Sequence, residues 1–208
     1  MSDYLGRIDT EGSTIGVYGD VGVMIRSVPH PSVNVKDLMI RQRTTIGKSS
    51  DMFLEITGAK GGTFKGEASE PDFKGKVQIF AWSWGISSPG DMSTGGPSSR
   101  ATLREVQFLK RVDSSSCALM GACDNNEKIT KAVLTVRKAG TVAQKYFTVT
   151  LVAGRITSYD IHAPGSADDP EMLESFSVSF QKIDIDYRPQ SKTGSLDGGM
   201  SYSGDTTP

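Results

Sequence analysis

Reactive chemistry needs particular side chains at particular spacings, and this sequence offers several partial matches. Gly47-Lys48-Ser49 has the form of the end of a phosphate-binding loop, in which backbone N–H groups cradle phosphate oxygens. That cradle needs a glycine five positions before Gly47, and Gln42 stands there. Gly85-Ile86-Ser87-Ser88-Pro89 approaches a nucleophile elbow, but Pro89 takes the place of the second glycine and a loop follows instead of a helix. Asp124-Asn125-Asn126-Glu127 begins like a calcium loop, yet Lys128 and Ile129 stand where an oxygen ligand and a glycine are required. The histidines, His30 and His162, have no metal-ligand spacing to Cys117 or Cys123. In a helical reading the two cysteines lie about 9 Å apart along the axis, beyond the ~7 Å reach of a disulfide. They read as small buried hydrophobes of a reducing cytosol. Asp168-Asp169 beside Pro170 reads as a solvated loop end. No set of nucleophile, base and orienting group is complete, so the expectation is a non-enzyme with no catalytic residue, no cofactor and no metal.

Composition narrows the class further. The 208 residues carry 23 basic and 24 acidic side chains, for a formal charge of −1. Such a balance draws in neither nucleic acid nor an anionic membrane. No run approaches the roughly 18 apolar residues of a membrane span, so neither a nucleic-acid partner nor membrane insertion is expected. Met1-Ser2-Asp3-Tyr4 lacks the basic and apolar regions of a signal peptide. Hydrophobic residues at 37% and 23 glycines point to a β-rich core carrying polar, glycine-rich loops.

The elements that position everything else are strands. Period-2 alternation runs through residues 52–190. Met52, Leu54 and Ile56 alternate with Phe53, Glu55 and Thr57; Ala132, Leu134 and Val136 with Val133, Thr135 and Arg137. Phe147, Val149 and Leu151 alternate with Tyr146, Thr148 and Thr150, and Ile156, Ser158 and Asp160 with Thr157, Tyr159 and Ile161. Along 77–84 both parities are apolar (Val77, Ile79, Ala81; Phe80, Trp82, Trp84), which predicts a strand buried on both faces. Phe176, Val178 and Phe180 are apolar at even positions, then Ile183, Ile185 and Tyr187 at odd ones. A one-residue slip turns every side chain over, so a bulge or a change of sheet is predicted near Gln181-Lys182. One short helix, capped by Asp113 or Ser114, carries Leu119, Met120 and Cys123 and ends at Asp124-Asn125-Asn126. The fold class is mainly β: a small antiparallel barrel of two sheets with one flanking helix. Residues 85–102 and 162–173 form long connections, and 191–208 reads as a flexible Gly/Ser-rich tail.

At this point three stretches resemble a known family. Phe80-Ala81-Trp82-Ser83-Trp84-Gly85-Ile86-Ser87 before a Gly/Ser loop, Leu134-Thr135-Val136-Arg137-Lys138-Ala139-Gly140, and Phe176 to Tyr187 with Arg188-Pro189-Gln190 are similar to the signatures of the haemolysin-coregulated protein (Hcp) family of type VI secretion. The signature and packing residues are Trp82, Trp84, Gly85, Arg137, Lys138, Gly140 and Tyr187. The resemblance covers 52–190. It implies a barrel that closes into homohexameric rings, which stack into the inner tube of a contractile injection machine. Sheath, baseplate and spike components are the implied partners, along with effectors bound in the lumen. It also implies synthesis in the cytoplasm followed by export through the machine. Ser175, Ser177, Ser179, Asp184 and Asp186 are candidate lumen-wall residues, and parity alone does not say which face inward.

Residues 1–51 have no counterpart in the family. An added domain fragment, a docking or effector-like extension, and an upstream start codon all remain open. Loop 85–102, too rich in Gly and Pro to pair as strand, is expected to join one ring to the next. Ser88, Asp91, Ser93, Thr94, Ser98 and Arg100 would carry that contact. The rival readings are a phage-type tail tube protein and, from another class, a monomeric ligand-binding β-sandwich.

Overall fold

Strands with one apolar face must cover it, either with a second layer or by curling until the sheet meets itself. This chain curls. The computed structural model describes residues 51–88, 101–138, 144–163, 172–189 and 198–206. The described strands are β1 (Met52–Gly58), β2 (Gly62–Thr63), β3 (Val77–Gln78), β4 (Ala81–Ser83), β5 (Ile86–Ser87), β6 (Thr102–Leu103) and β7 (Val106–Arg111). Helix α1 (Ser116–Asp124) follows, then β8 (Lys128–Lys138), β9 (Gln144–His162), β10 (Leu173–Ser179), β11 (Lys182–Tyr187) and β12 (Met200–Asp205).

The 19-residue strand β9 is the spine. β8 pairs along one edge of it. On the other edge β11 pairs with the N-terminal half, Phe147 to Val152, and β10 with the C-terminal half, Arg155 to His162. Every pairing is antiparallel, and the path runs β2-β1-β8-β9-β10-β7-β4. Closure comes from the segment holding β3 and β4. Ile79 N–H donates to Met52 O beside β1 at 2.9 Å, and the next residue, Phe80, donates to Leu109 O on β7 at 2.8 Å. Consecutive residues thus stitch the two ends of the sheet together, leaving a barrel of two sheets with one helix.

The same segment corrects the expectation of a strand buried on both faces. Residues 77–84 form two short strands, not one, and the apolar sets take turns. Val77 and Ile79 are buried in the core, and Trp82 and Trp84 then pack against it from the other parity. The parity flip foreseen at Gln181 is present. Phe176, Val178, Phe180 and Ile183 are all buried, and Gln181 N–H donates to Val152 O at the junction of β10 and β11. Across that junction Gly154 of β9 is obligatory, because a Cβ there would stand 2.2 Å from Ser179 O. One alternation was misread. A register shift between Ser177 and Val178 turns part of β9 over, so that Ile156 pairs with Val178 and Tyr159 with Phe176 on the same inner face.

Beyond the main core a small cluster sits on the outer face of β1, where Phe73 stacks on Phe53 with ring centroids 4.3 Å apart. Burying one such ring stabilises by roughly 1.5–3 kcal/mol. The N-cap of α1 is Ser115, without a side-chain cap bond, not Asp113 or Ser114 as expected; Asp113 Oδ1 instead accepts from Ser115 N–H at 2.8 Å. Ser116, Leu119 and Ala122 face inward at helical spacing. Cys117, one position round, is exposed, and Cys123 is half-buried; both are free thiols. The expectation of two buried cysteines therefore fails for Cys117.

Two further expectations change. The ends of loop 85–102 do pair, Ile86 with Leu103 and Ser87 with Thr102. The stretch 191–208, read as a flexible tail, contains β12. The strand lies along β11 from Lys182↔Asp205 to Tyr187↔Met200, and so covers an edge whose backbone groups need partners.

Candidate functional site

The side chains of the described strands single out several surface features. Trp82 meets the Phe147 ring at 5.6 Å, and Trp84 meets Tyr202 at 5.9 Å. The Trp84 Nε1 is buried without a hydrogen-bond partner. Gly85 accepts from Arg104 N–H at 3.0 Å, and the Arg104 guanidinium fills the space a Cβ would need. Tyr187 is exposed and meets Tyr146 edge-on at 6.4 Å. Lys138 ends β8, and Gly140 lies outside the described residues. Of the expected ring-to-ring residues Ser88 is exposed just after β5; Asp91, Ser93, Thr94, Ser98 and Arg100 lie outside the described residues.

Arg137 is the best-anchored of the signature residues. It bonds Asp51 Oδ1 at 2.9 Å and Glu70 Oε2 at 3.1 Å, and lies 5.2 Å from the centroids of both Phe53 and Phe73. Burial pulls its pKa down, but the hydrogen bonds to Asp51 and Glu70 outweigh that and raise it. Its N–H also donates to Asp51 O at 2.8 Å. The chain is thus gripped from Asp51 onward, one residue earlier than the alternation suggested.

The candidate lumen residues fall into two groups, on β10 and on β11, which pair with opposite halves of β9. Ser83, Gln107, Ser177 and Ser158 are register partners across β4, β7, β10 and β9, and Ser158 Oγ bonds Ser177 Oγ at 2.9 Å. Glu55, Val133, Thr150, Asp184 and Ser203 form the matching row across β1, β8, β9, β11 and β12. Hydrogen bonds from Ser203 and from Lys182 hold the Asp184 carboxyl below its usual range.

The feature that alternation missed is ionic. Lys110 and Glu174 are fully buried register partners, with Nζ 2.5 Å from Oε1. Lys110 Nζ also reaches Asp113 Oδ1 at 2.7 Å, and Tyr159 donates its hydroxyl to Glu174 Oε2. Burial, followed by the bond to Glu174, pushes the Tyr159 pKa up. This network ties β7, β9 and β10 to the start of α1 on the core face of the barrel. The sequence did carry a signal: Lys110 is in phase with Val106 and Phe108, and Glu174 with Phe176 and Val178. A charge in phase with core residues must be buried and paired.

Of the groups weighed for chemistry, His30, Gly47-Lys48-Ser49, Pro89 and Asp168-Asp169 lie outside the described residues. Ser87 and Ser88 are exposed, and His162 Nε2 shares a bond with Ser175 Oγ at 3.2 Å. Asp124 and Asn125 end α1, and the Glu127 carboxylate accepts from Gly61 N–H at 2.9 Å and Lys60 N–H at 2.7 Å. Those backbone bonds lower its pKa. Among the described residues no three His, Cys, Asp or Glu side chains gather to hold a metal, and no helix is long and apolar enough to cross a membrane.

Known proteins fit this barrel. Residues 53–187 match the family described as "Type VI secretion system effector, Hcp". Over 152 residues the chain is 33% identical to Protein hcp1 of Pseudomonas aeruginosa, covering 72% of this chain and 90% of that protein. A solved Hcp protein superposes with a TM-score of 0.62 at 21% identity, covering 74% of this chain and 98% of that one. A type VI secretion system effector from Yersinia pestis gives a TM-score of 0.59 at 24% identity, covering 75% of this chain and 100% of that one. The family match spans the strands from β1 to β11 that build the barrel, and together with the hcp1 identity it shows that this chain belongs to the Hcp family of type VI secretion system proteins.

Proposed function

We propose that this chain is the repeating subunit of a type VI inner tube. Six copies close into a ring, rings stack, and the stack is made in the cytoplasm and expelled with effectors in its lumen. Spike, sheath and baseplate proteins are its assembly partners. The observation that carries this reading is the family match across the whole closed barrel. The barrel from Asp51 through β12 is the part that repeats.

The reading asks the protein for rigidity, contact surfaces and a wall, not for catalysis. The Lys110–Glu174 network and the stitched closure at Ile79-Phe80 supply rigidity. For the lumen wall we favour the row Ser83, Gln107, Ser177 and Ser158. It is polar and uncharged, so it lets cargo of either sign pass. The opposite sheet carries Glu55, Lys131, Lys182, Asp184 and Asp186 on its outer face. The loop from Gly85 to Thr102 extends from the β5–β6 pair and makes the ring-to-ring contact.

Electron micrographs of the purified protein test the proposal. End-on views should show rings with a central opening, and concentrated samples should show stacks. A field of particles no larger than one subunit contradicts it.

A further inference from the structure

Seven large hydrophobic side chains are exposed among the described residues, and six of them fall into two groups. The first is Val112, Ile161 and Met172, at 40%, 44% and 45% exposure. Val112 N–H donates to Met172 O, and Ile161 is the register partner of Glu174, two residues along from Met172. These three continue the rows of Lys110 and Glu174 on the same face, past the end of the core. The second group is Tyr187, Met200 and Tyr202, at 40%, 68% and 40%. Tyr187 pairs with Met200 and Ile185 with Tyr202, so these side chains continue the core row of Ile183 and Ile185 past its other end. Trp84 stands beside them with an unpartnered, buried Nε1.

The groups lie at opposite ends of β9: Ile161 is next to its last residue, and Tyr187 pairs with Phe147 near its first. Trp84, beside Tyr202, follows Ser83, which pairs with Gln107 on β7, and Val112 lies five residues further along that chain, roughly 16 Å at ~3.3 Å per residue, so the two groups are separate. Their charged surroundings also differ in sign. Asp160 is exposed beside Ile161, whereas Lys145, Arg188 and Asp186 are exposed near Tyr187, a set with net positive charge. Two apolar ends of unlike charge on one chain suit a head-to-tail contact, which generates a ring when the rotation closes.

We propose that Val112, Ile161 and Met172 of one copy seat against Tyr187, Met200 and Tyr202 of the next copy within the ring. This deepens the ring reading and rests on it. The occupant of each patch is a second copy of this chain.

The test uses two single variants of the full chain, Met172→Glu and Met200→Glu, each checked for native circular dichroism and sized by light scattering. Both residues are exposed, so the barrel tolerates the change. Each variant alone should lose the ring mass and run as a monomer. Mixed in equal amounts they should form a dimer and nothing larger, because one intact Met172 end and one intact Met200 end remain. If both variants keep the ring mass, or if the mixture stays monomeric, the assignment of these patches is overturned even though the ring stands. A wild-type chain that is itself monomeric removes the ring reading instead. Should either variant unfold, Met172→Ser and Met200→Ser with the same mixing protocol replace them, and weakened rings restored to a dimer-only limit are again the expected result.

Discussion

Lys110 on β7 and Glu174 on β10 face each other in register, fully buried, with Nζ and Oε1 2.5 Å apart. Removing one partner strands the other charge in the core, which typically costs about 3–5 kcal/mol. Lys110→Met should therefore lower the denaturant midpoint sharply, and adding Glu174→Leu should recover part of the loss. Chemical denaturation of the single and double variants measures both. A single variant as stable as the parent would mean the pair is not buried in solution.

Tyr159 gives the network a pH signature. Its folded pKa is raised above the unfolded value of about 10. Its contribution to stability is therefore complete below pH ~10 and falls as pH rises from there toward the folded pKa, because the unfolded chain loses the proton first. Tyr159→Phe should be less stable at neutral pH and show a shallower decline between roughly pH 9.5 and 11, around the ordinary tyrosine pKa. Thermal melts across that range read the slope. Identical slopes in parent and variant would remove Tyr159 as the source.

Truncation at the entry to the barrel separates Asp51 from what precedes it. If residues 1–51 lay upstream of the true start, a chain starting at Met52 would be as stable as the full chain. The bonds from Arg137 to the Asp51 carboxylate and carbonyl alter that expectation. A start at Met52 should lose about 1 kcal/mol, the usual worth of such contacts, whereas a start at Ser50 should match the full chain. Calorimetry on the two truncations checks this. A large loss in the Ser50 variant would show that residues 1–49 stabilise the barrel.

Much of the barrel was legible because its strands are half-buried and alternate cleanly, as Phe176, Val178 and Phe180 do. The parity flip at Gln181 was legible for the same reason. Where alternation broke, the reading went astray. The apolar run 77–84 looked like double burial, because a crossing from β1 to β7 leaves both parities apolar. The bulge that brings Tyr159 inward leaves no mark in residue type, since Thr157 and Ser158 suit either face. The Lys110–Glu174 pair is in phase with the core, but alternation alone does not mark a charged residue as buried. β12 escaped because Met200 and Tyr202 are too few among Ser201, Ser203, Gly204 and Asp205 to make an alternation stand out, and only the open edge of β11 gives the strand a partner. Among the signature residues Arg137 gains a physical role, gripping Asp51 and Glu70.

The loop between Ser88 and Ser98 offers a functional prediction. An ion pair between Asp91 and Arg100 across a ring contact would contribute only ~0–1 kcal/mol, and symmetric repetition would sum such pairs. Replacing 88–98 with a short Gly-Ser linker should leave ring mass unchanged and abolish stacking and secretion. Light scattering reads the ring, and a culture-supernatant assay reads export. Normal export from the shortened chain would exclude the loop as a stacking element.

The central claim is that this barrel is a ring subunit, and its mass in solution tests that most directly. Size exclusion coupled to light scattering at micromolar protein should return six times the 22.3 kDa chain mass. A single species at the mass of one chain, unchanged across a hundredfold or so range of concentration (wide enough to expose mass action), would contradict it.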